Sequence, residues 1–193
     1  MKKQLITLLL IILSITANAQ YTAMLDFSGT SNGSNPWGDF IFDGTYMYAT
    51  TSAGGTSNYG TIFKIKPDGT GYAKLYDFGG SSSGRQPRGS LFYDGTFLYG
   101  MTLQGGVNDM GVIFKILPDG TGFLKLLDFA GASNGNLPHG SLISDGTFLY
   151  GMTVQGGIND LGVIFKILPS GGGYTKILDF AGTTNGSNPY GSL

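Results

Sequence analysis

Residues 94–102 read DGTFLYGMT, and the same nine residues return at 145–153, 51 positions further on. The repetition is not confined to that stretch. Asp-Phe recurs as Asp26-Phe27, Asp77-Phe78, Asp128-Phe129 and Asp179-Phe180, each 51 residues after the last. Three whole units follow, 26–76, 77–127 and 128–178, and part of a fourth, 179–193; the second and third share 35 of 51 residues. A fixed period of this size denotes a solenoid, propeller or array, in which neighbouring units cover each other's apolar faces.

Within the second unit the strand signals are regular. Residues 89–93 read as a short strand, and Asp94-Gly95 is a tight-hairpin signal. Residues 96–103 form the next strand, 104–110 a Gly-Asn-Asp loop, and 111–117 a third strand. Residues 118–122 turn the chain into a fourth strand ending at Phe129. Four short antiparallel strands per ~50 residues fit one propeller blade. Alternation supports it. Strands two and three are apolar on much of both faces, as expected of a sheet lying between two others, whereas a half-solvated meander would alternate cleanly. A β-solenoid is the rival, but its rungs are shorter and lack paired hairpin turns. Gly100 and Gly151 fall mid-strand, where Gly weakens a sheet; a close approach is expected there, with the crowded centre of a propeller as its source. The expected fold is therefore all-β, a propeller-like array of four-stranded antiparallel blades. Residues 21–27 align with a fourth strand, so the array opens on an outer strand with no blade of its own. Three units and a remnant fall short of the ~4–8 blades of a closed ring, so the sequence reads as part of a longer array.

The first residues stand apart. Lys2 and Lys3, an apolar run from Leu5 to Ile15, and Ala17-Asn18-Ala19 before Gln20 follow the order of a secretory signal peptide. Residues 1–19 are read as that peptide and 20–193 as the repeat domain, which places the protein outside the cell or on its surface. The apolar run is too short for a membrane span of ~20 residues. Without the leader, nine basic residues face twelve acidic ones, all Asp. No basic run exists to follow a phosphate backbone, so nucleic acid is not an expected partner. Cysteine is absent, which removes disulfides, thiolate metal sites, cysteine nucleophiles and lipid attachment through cysteine.

Little catalytic chemistry is visible. Eleven of the twelve Asp occupy repeated turn or strand-end positions, in Asp-Phe, Asp-Gly-Thr, Pro-Asp-Gly and Asn-Asp, where Asp bonds local backbone. A catalytic carboxylate pair needs two unlike environments, and repetition supplies the same one each time. Only Asp39 breaks the pattern, Ser90 and Ser141 standing at its place. No loop has the carboxylates calcium needs, and one histidine without a thiolate does not make a zinc site; neither metal nor cofactor is expected.

One short segment does vary. Pro-x-Gly recurs at 36–38, 87–89, 138–140 and 189–191, with Trp37, Arg88, His139 and Tyr190 in the middle. Arg85 and Asn136 precede it, and the only Trp and both Arg of the protein lie here. In a four-strand meander the second turn and the link between units share one rim, which places these residues on a rim of variable loops, where function resides on rigid scaffolds. Such side chains suit stacking on a glycan or gripping a surface protein. A spacer with no ligand is the alternative. A glycan-active enzyme built on Asp39 is a third and weaker reading.

The stretches LYGMTLQGGVNDMGVIFKILPDGTG (98–122), LYGMTVQGGINDLGVIFKILPSGGG (149–173) and MYATTSAGGTSNYGTIFKIKPDGTG (47–71) resemble the LYGTT–GG–G–VFK repeat of the choice-of-anchor tandem repeat GloVer proteins. The resemblance extends over essentially all of the sequence after the leader. It implies an exported bacterial repeat protein held by one of several C-terminal anchors, and it brings no established activity or catalytic residue.

Overall fold

The computed structural model describes residues 22–193; residues 1–19, which the sequence reads as a signal peptide, lie outside the described residues. They form three antiparallel sheets and no helix, hence no helix long and apolar enough to cross a membrane. The first sheet contains β1 (Ser34–Pro36), β2 (Ile41–Phe42), β3 (Met47–Ala53), β4 (Thr61–Ile65) and β5 (Ala73–Asp77). The second contains β6 (Arg85–Pro87), β7 (Phe92–Tyr93), β8 (Leu98–Gln104), β9 (Val112–Ile116) and β10 (Leu124–Asp128). The third contains β11 (Ile143–Ser144), β12 (Leu149–Thr153), β13 (Val163–Ile167) and β14 (Thr175–Asp179). Each sheet is one propeller blade.

The first strand differs from the expected 89–93: only Phe92–Tyr93 (β7) of that stretch pair, and a further short strand, β6, precedes it. β6 pairs with the far half of β8 and β7 with its near half. Within β6, Pro87 has no amide hydrogen to donate and Gln86 is left-handed, φ 57°. Asn35, Leu137 and Asn188 take the same conformation in the other units, so the kink belongs to the repeat.

The first turn is held by its Asp. Asp94 Oδ1 accepts from the amides of Thr96 and Phe97, both at 2.7 Å, while Oδ2 accepts from the Tyr99 hydroxyl at 2.8 Å. Gly95 supplies the positive φ of 94°. Asp43 with Tyr48 and Asp145 with Tyr150 repeat the arrangement. The outer strands carry a bulge at Leu75, Leu126 and Ile177.

Blades pack face to face. Tyr48 and Ile62 of blade one lie in a cluster with Leu91, Leu98, Val112, Phe114 and Ile116 of blade two. Tyr99, Met101 and Ile113, on the opposite face of blade two, cluster with Leu142, Leu149, Val163, Phe165 and Ile167 of blade three. β8 is buried over its first five residues on both faces, which is why its sequence lacks polar alternation. Burying one such Leu or Ile is worth ~1.5–3 kcal/mol. Polar ties join neighbours as well: Lys64 Nζ donates to the Pro118 carbonyl and Lys115 Nζ to that of Pro169, each at 3.3 Å.

The close approach at Gly100 is real, but its source differs from the expectation. A Cβ there would lie 2.5 Å from the Phe114 ring, and one on Gly151 2.6 Å from that of Phe165. Phe114 is the cross-strand partner of Gly100 in the same blade. The glycine makes room for a ring of its own sheet, not for the centre of the propeller.

Candidate functional site

The kinked first strands bring equivalent residues of successive blades together. A Cβ on Gly38 would lie 2.8 Å from the Gly89 carbonyl oxygen, and Gly89 and Gly140 meet the carbonyls of Gly140 and Gly191 more closely still. The amide of Asp39 donates to Ser90 Oγ, that of Ser90 to Ser141 Oγ, and that of Ser141 to Ser192 Oγ, each at 2.8 Å across 51 residues. Contacts this tight between units fanned round an axis identify the first strands as the hub.

The four variable side chains gather there. Trp37 and His139 belong to blades one and three, yet their rings sit 6.1 Å apart, edge to face. Such a contact skips a whole blade and requires both side chains to converge at the axis. The Arg88 guanidinium lies 5.0 Å from the Trp37 ring centre, and its Nη1 is 3.3 Å from His139 Nε2. Tyr190 closes the row at 5.3 Å from His139. The sequence places these four residues together on one rim of variable loops; in the structure they converge in one cluster at the axis. In each unit the left-handed residue directly precedes the Pro-x-Gly that carries the clustered side chain. Together with Asp39, Ser90, Ser141 and Ser192 the cluster lines a funnel of about 190 Å³.

Its electrostatics follow from the contacts. Burial lowers the His139 pKa, and the Arg88 charge beside it lowers it further, against an opposing main-chain bond with Tyr190. His139 is neutral at pH 7. A guanidinium can only donate, so Nε2 is the acceptor and the ring proton sits on Nδ1. Arg88 Nε is buried without a partner. Trp37 and Tyr190 stay open, 59% and 65% exposed.

Arg85 and Asn136 do not join the cluster. Arg85 pairs with Asp109, Nη2 to Oδ2 at 2.8 Å and Nε to Oδ1 at 3.2 Å, and lines a separate groove between blades one and two. Asn136 pairs through its backbone with Gln155, Nδ2 reaching Gln155 Oε1 at 3.4 Å. Asn136 acts within its own blade, whereas Arg85 also lies 5.9 Å from the Tyr59 ring centre of blade one. Sequence reasoning does not single out the serines; the signal available is Ser-Leu after every Pro-x-Gly except the first, where Asp39-Phe40 stands. Among the described residues no group of three or more His and Asp is arranged to hold a metal.

The family model of the Gloeobacter/Verrucomicrobia repeat matches residues 11–193. The chain belongs to this repeat family. No curated protein matches its sequence. Among solved structures, a chain of a nidogen/laminin complex is similar with a TM-score of 0.60 at 22% identity, over 83% of this chain and 52% of that one. A TolB-like protein from Agrobacterium tumefaciens gives 0.50 at 17% identity, over 78% and 51%. Both are propeller-like, and at these identities the likeness concerns the fold alone. The chain spans about half the length of each. In this chain the 51-residue repeat is thus a propeller-like blade, and its Pro-x-Gly segments gather at the hub.

Proposed function

We propose that this repeat protein is an exported, non-catalytic binding module whose axial funnel takes a glycan residue. The observation behind it is the convergence of Trp37, Arg88, His139 and Tyr190, the side chains the repeat leaves free to differ, at one point on the axis. Exposed aromatic rings offer stacking surfaces for sugar faces, and Arg88 and the axial serines offer donors to sugar hydroxyls. A funnel of about 190 Å³ suits roughly one sugar ring, below the usual ~300–1,000 Å³ of larger ligands. Sequence order in the leader supports export.

The test is a glycan-binding screen on the secreted protein, followed by titration of Trp37→Ala and Arg88→Ala. Each substitution is expected to weaken binding at least tenfold without altering the β-sheet circular dichroism. N-terminal sequencing of the exported chain should begin at Gln20. A protein ligand is the second reading, favoured by the nidogen/laminin complex among the structural relatives; it predicts capture of a surface protein that the same substitutions abolish. A screen blank for both, with the wild-type chain folded, would favour a spacer. Hydrolysis of a bound glycan that Asp39→Asn abolishes would favour an enzyme.

A further inference from the structure

One face of the array lacks the neighbour that the repeat supplies elsewhere, and the comparison is internal to the molecule. Leu91 and Leu142 follow the axial serines of blades two and three; the preceding blade covers each, leaving them 4% and 3% exposed. Phe40 holds the same place in blade one and is 49% exposed. Against Leu91 pack Tyr48 and Ile62, from the second and third strands of blade one. The corresponding space beside Phe40, Phe63 and Ile65 is a cavity of about 370 Å³.

Residues 22–27 form its other wall, and they stand where an outer strand belongs. Phe27 meets Phe63 edge-on at 5.5 Å, as Phe78 meets Phe114 at 5.3 Å and Phe129 meets Phe165 at 5.6 Å. Met24 lies against Gly69 as Leu75 lies against Gly120 and Leu126 against Gly171. Each of β5, β10 and β14 is bonded to the third strand of its blade. Among the described residues, 22–27 are bonded to none. A segment in the place of an outer strand and the apolar face beside it thus flank a space that two strands fill in the other blades.

We propose that this socket binds the second and third strands of a further repeat of the same type, a β-hairpin such as residues 94–117 form in blade two. Two features select it. The cavity takes the aromatic and aliphatic side chains equivalent to Tyr48 and Ile62, and the free edge of 22–27 takes main-chain hydrogen bonds, as in strand addition to a sheet edge. The register follows from Thr61 opposite Asp77 and Ile62 opposite Tyr76: the incoming third strand sets the same residues opposite Asp26 and Leu25. An apolar ligand of another shape would fill the cavity and leave that edge unpaired.

The experiment titrates the chain with a labelled peptide of residues 94–117, displayed on a soluble carrier to keep it monomeric. One-to-one binding is expected, with hydrogen-exchange protection appearing at residues 24–27. Phe40→Asp, and more mildly Phe40→Ala, should weaken it at least tenfold and threefold while preserving the β-sheet spectrum. A scrambled peptide should not bind. Failure of the native peptide to bind the folded chain, or equal binding to both Phe40 variants, overturns the proposal. So does a dimer of the chain alone that Phe40→Asp dissociates and the peptide does not displace, which would make a second copy the occupant.

Discussion

Asp145 shows how much one side chain of the repeat does. Amides of Phe148 and Thr147 and the Tyr150 hydroxyl all donate to it, and together they hold its pKa down at about 2. At Asp43 and Asp94 partial burial works against the charge, yet the equivalent donors outweigh it and the pKa is again lowered. An unfolded Asp titrates near ~3.9. The stabilisation is therefore complete above pH ~4 and drains away as pH falls toward 2, because the unfolded chain takes up protons first. Urea midpoints measured from pH 6 to pH 2.5 should stay level and then drop below pH 4. Tyr150→Phe removes one donor and should make that drop shallower. The local role of these carboxylates was legible, since Asp-Gly-Thr announces a turn. The tyrosine five residues on was not, because its hydroxyl returns to the turn only once β12 is formed. Asp77, Asp128 and Asp179 went further from expectation: besides pairing with Lys74, Lys125 and Lys176, each accepts an amide 21 residues upstream, at Thr56, Val107 and Ile158.

Among the elements, the second and third strands were readable and the first was not. Hairpin residues and two-sided apolar runs fix β8 and β9 directly. The partner of Gly100 depends on register, which the length of the 104–110 loop sets and composition does not reveal. Gly100→Ala should cost ~1–3 kcal/mol by forcing the Phe114 ring aside, read from chemical denaturation. In a Phe114→Leu background the same change should cost measurably less, a double-mutant cycle that reports the contact itself. The first strand eluded prediction because a residue before proline is normally extended, whereas Gln86 and its equivalents are left-handed. That conformation opens the segment that carries the hub side chains.

For the whole molecule, position in the array decides what a residue is worth. Ile113 and Ile164 occupy the same place in the repeat, but Ile113 is sealed between blades two and three whereas Ile164 is only half-buried. Ile113→Ala should cost ~2–5 kcal/mol and Ile164→Ala roughly 1 kcal/mol, compared by urea unfolding of the two variants. Blade count per unit and the sandwiching of blade two could be read from period and polarity. Convergence of Trp37, Arg88, His139 and Tyr190 could not, because it depends on how sheets tilt about an axis that no single unit contains.

The serine–amide ladder and the lysine–carbonyl ties join positions 51 and 54 residues apart. Every joint in the array is thus the same joint. A recombination event that adds or removes one whole period leaves all seams matched, wherever within the period the crossover falls. One that shifts phase by even a few residues mispairs every seam across the break. Genes of this kind can lengthen or shorten in steps of 153 nucleotides, about the size the period dictates, and selection on the hub side chains can then act on each new copy separately.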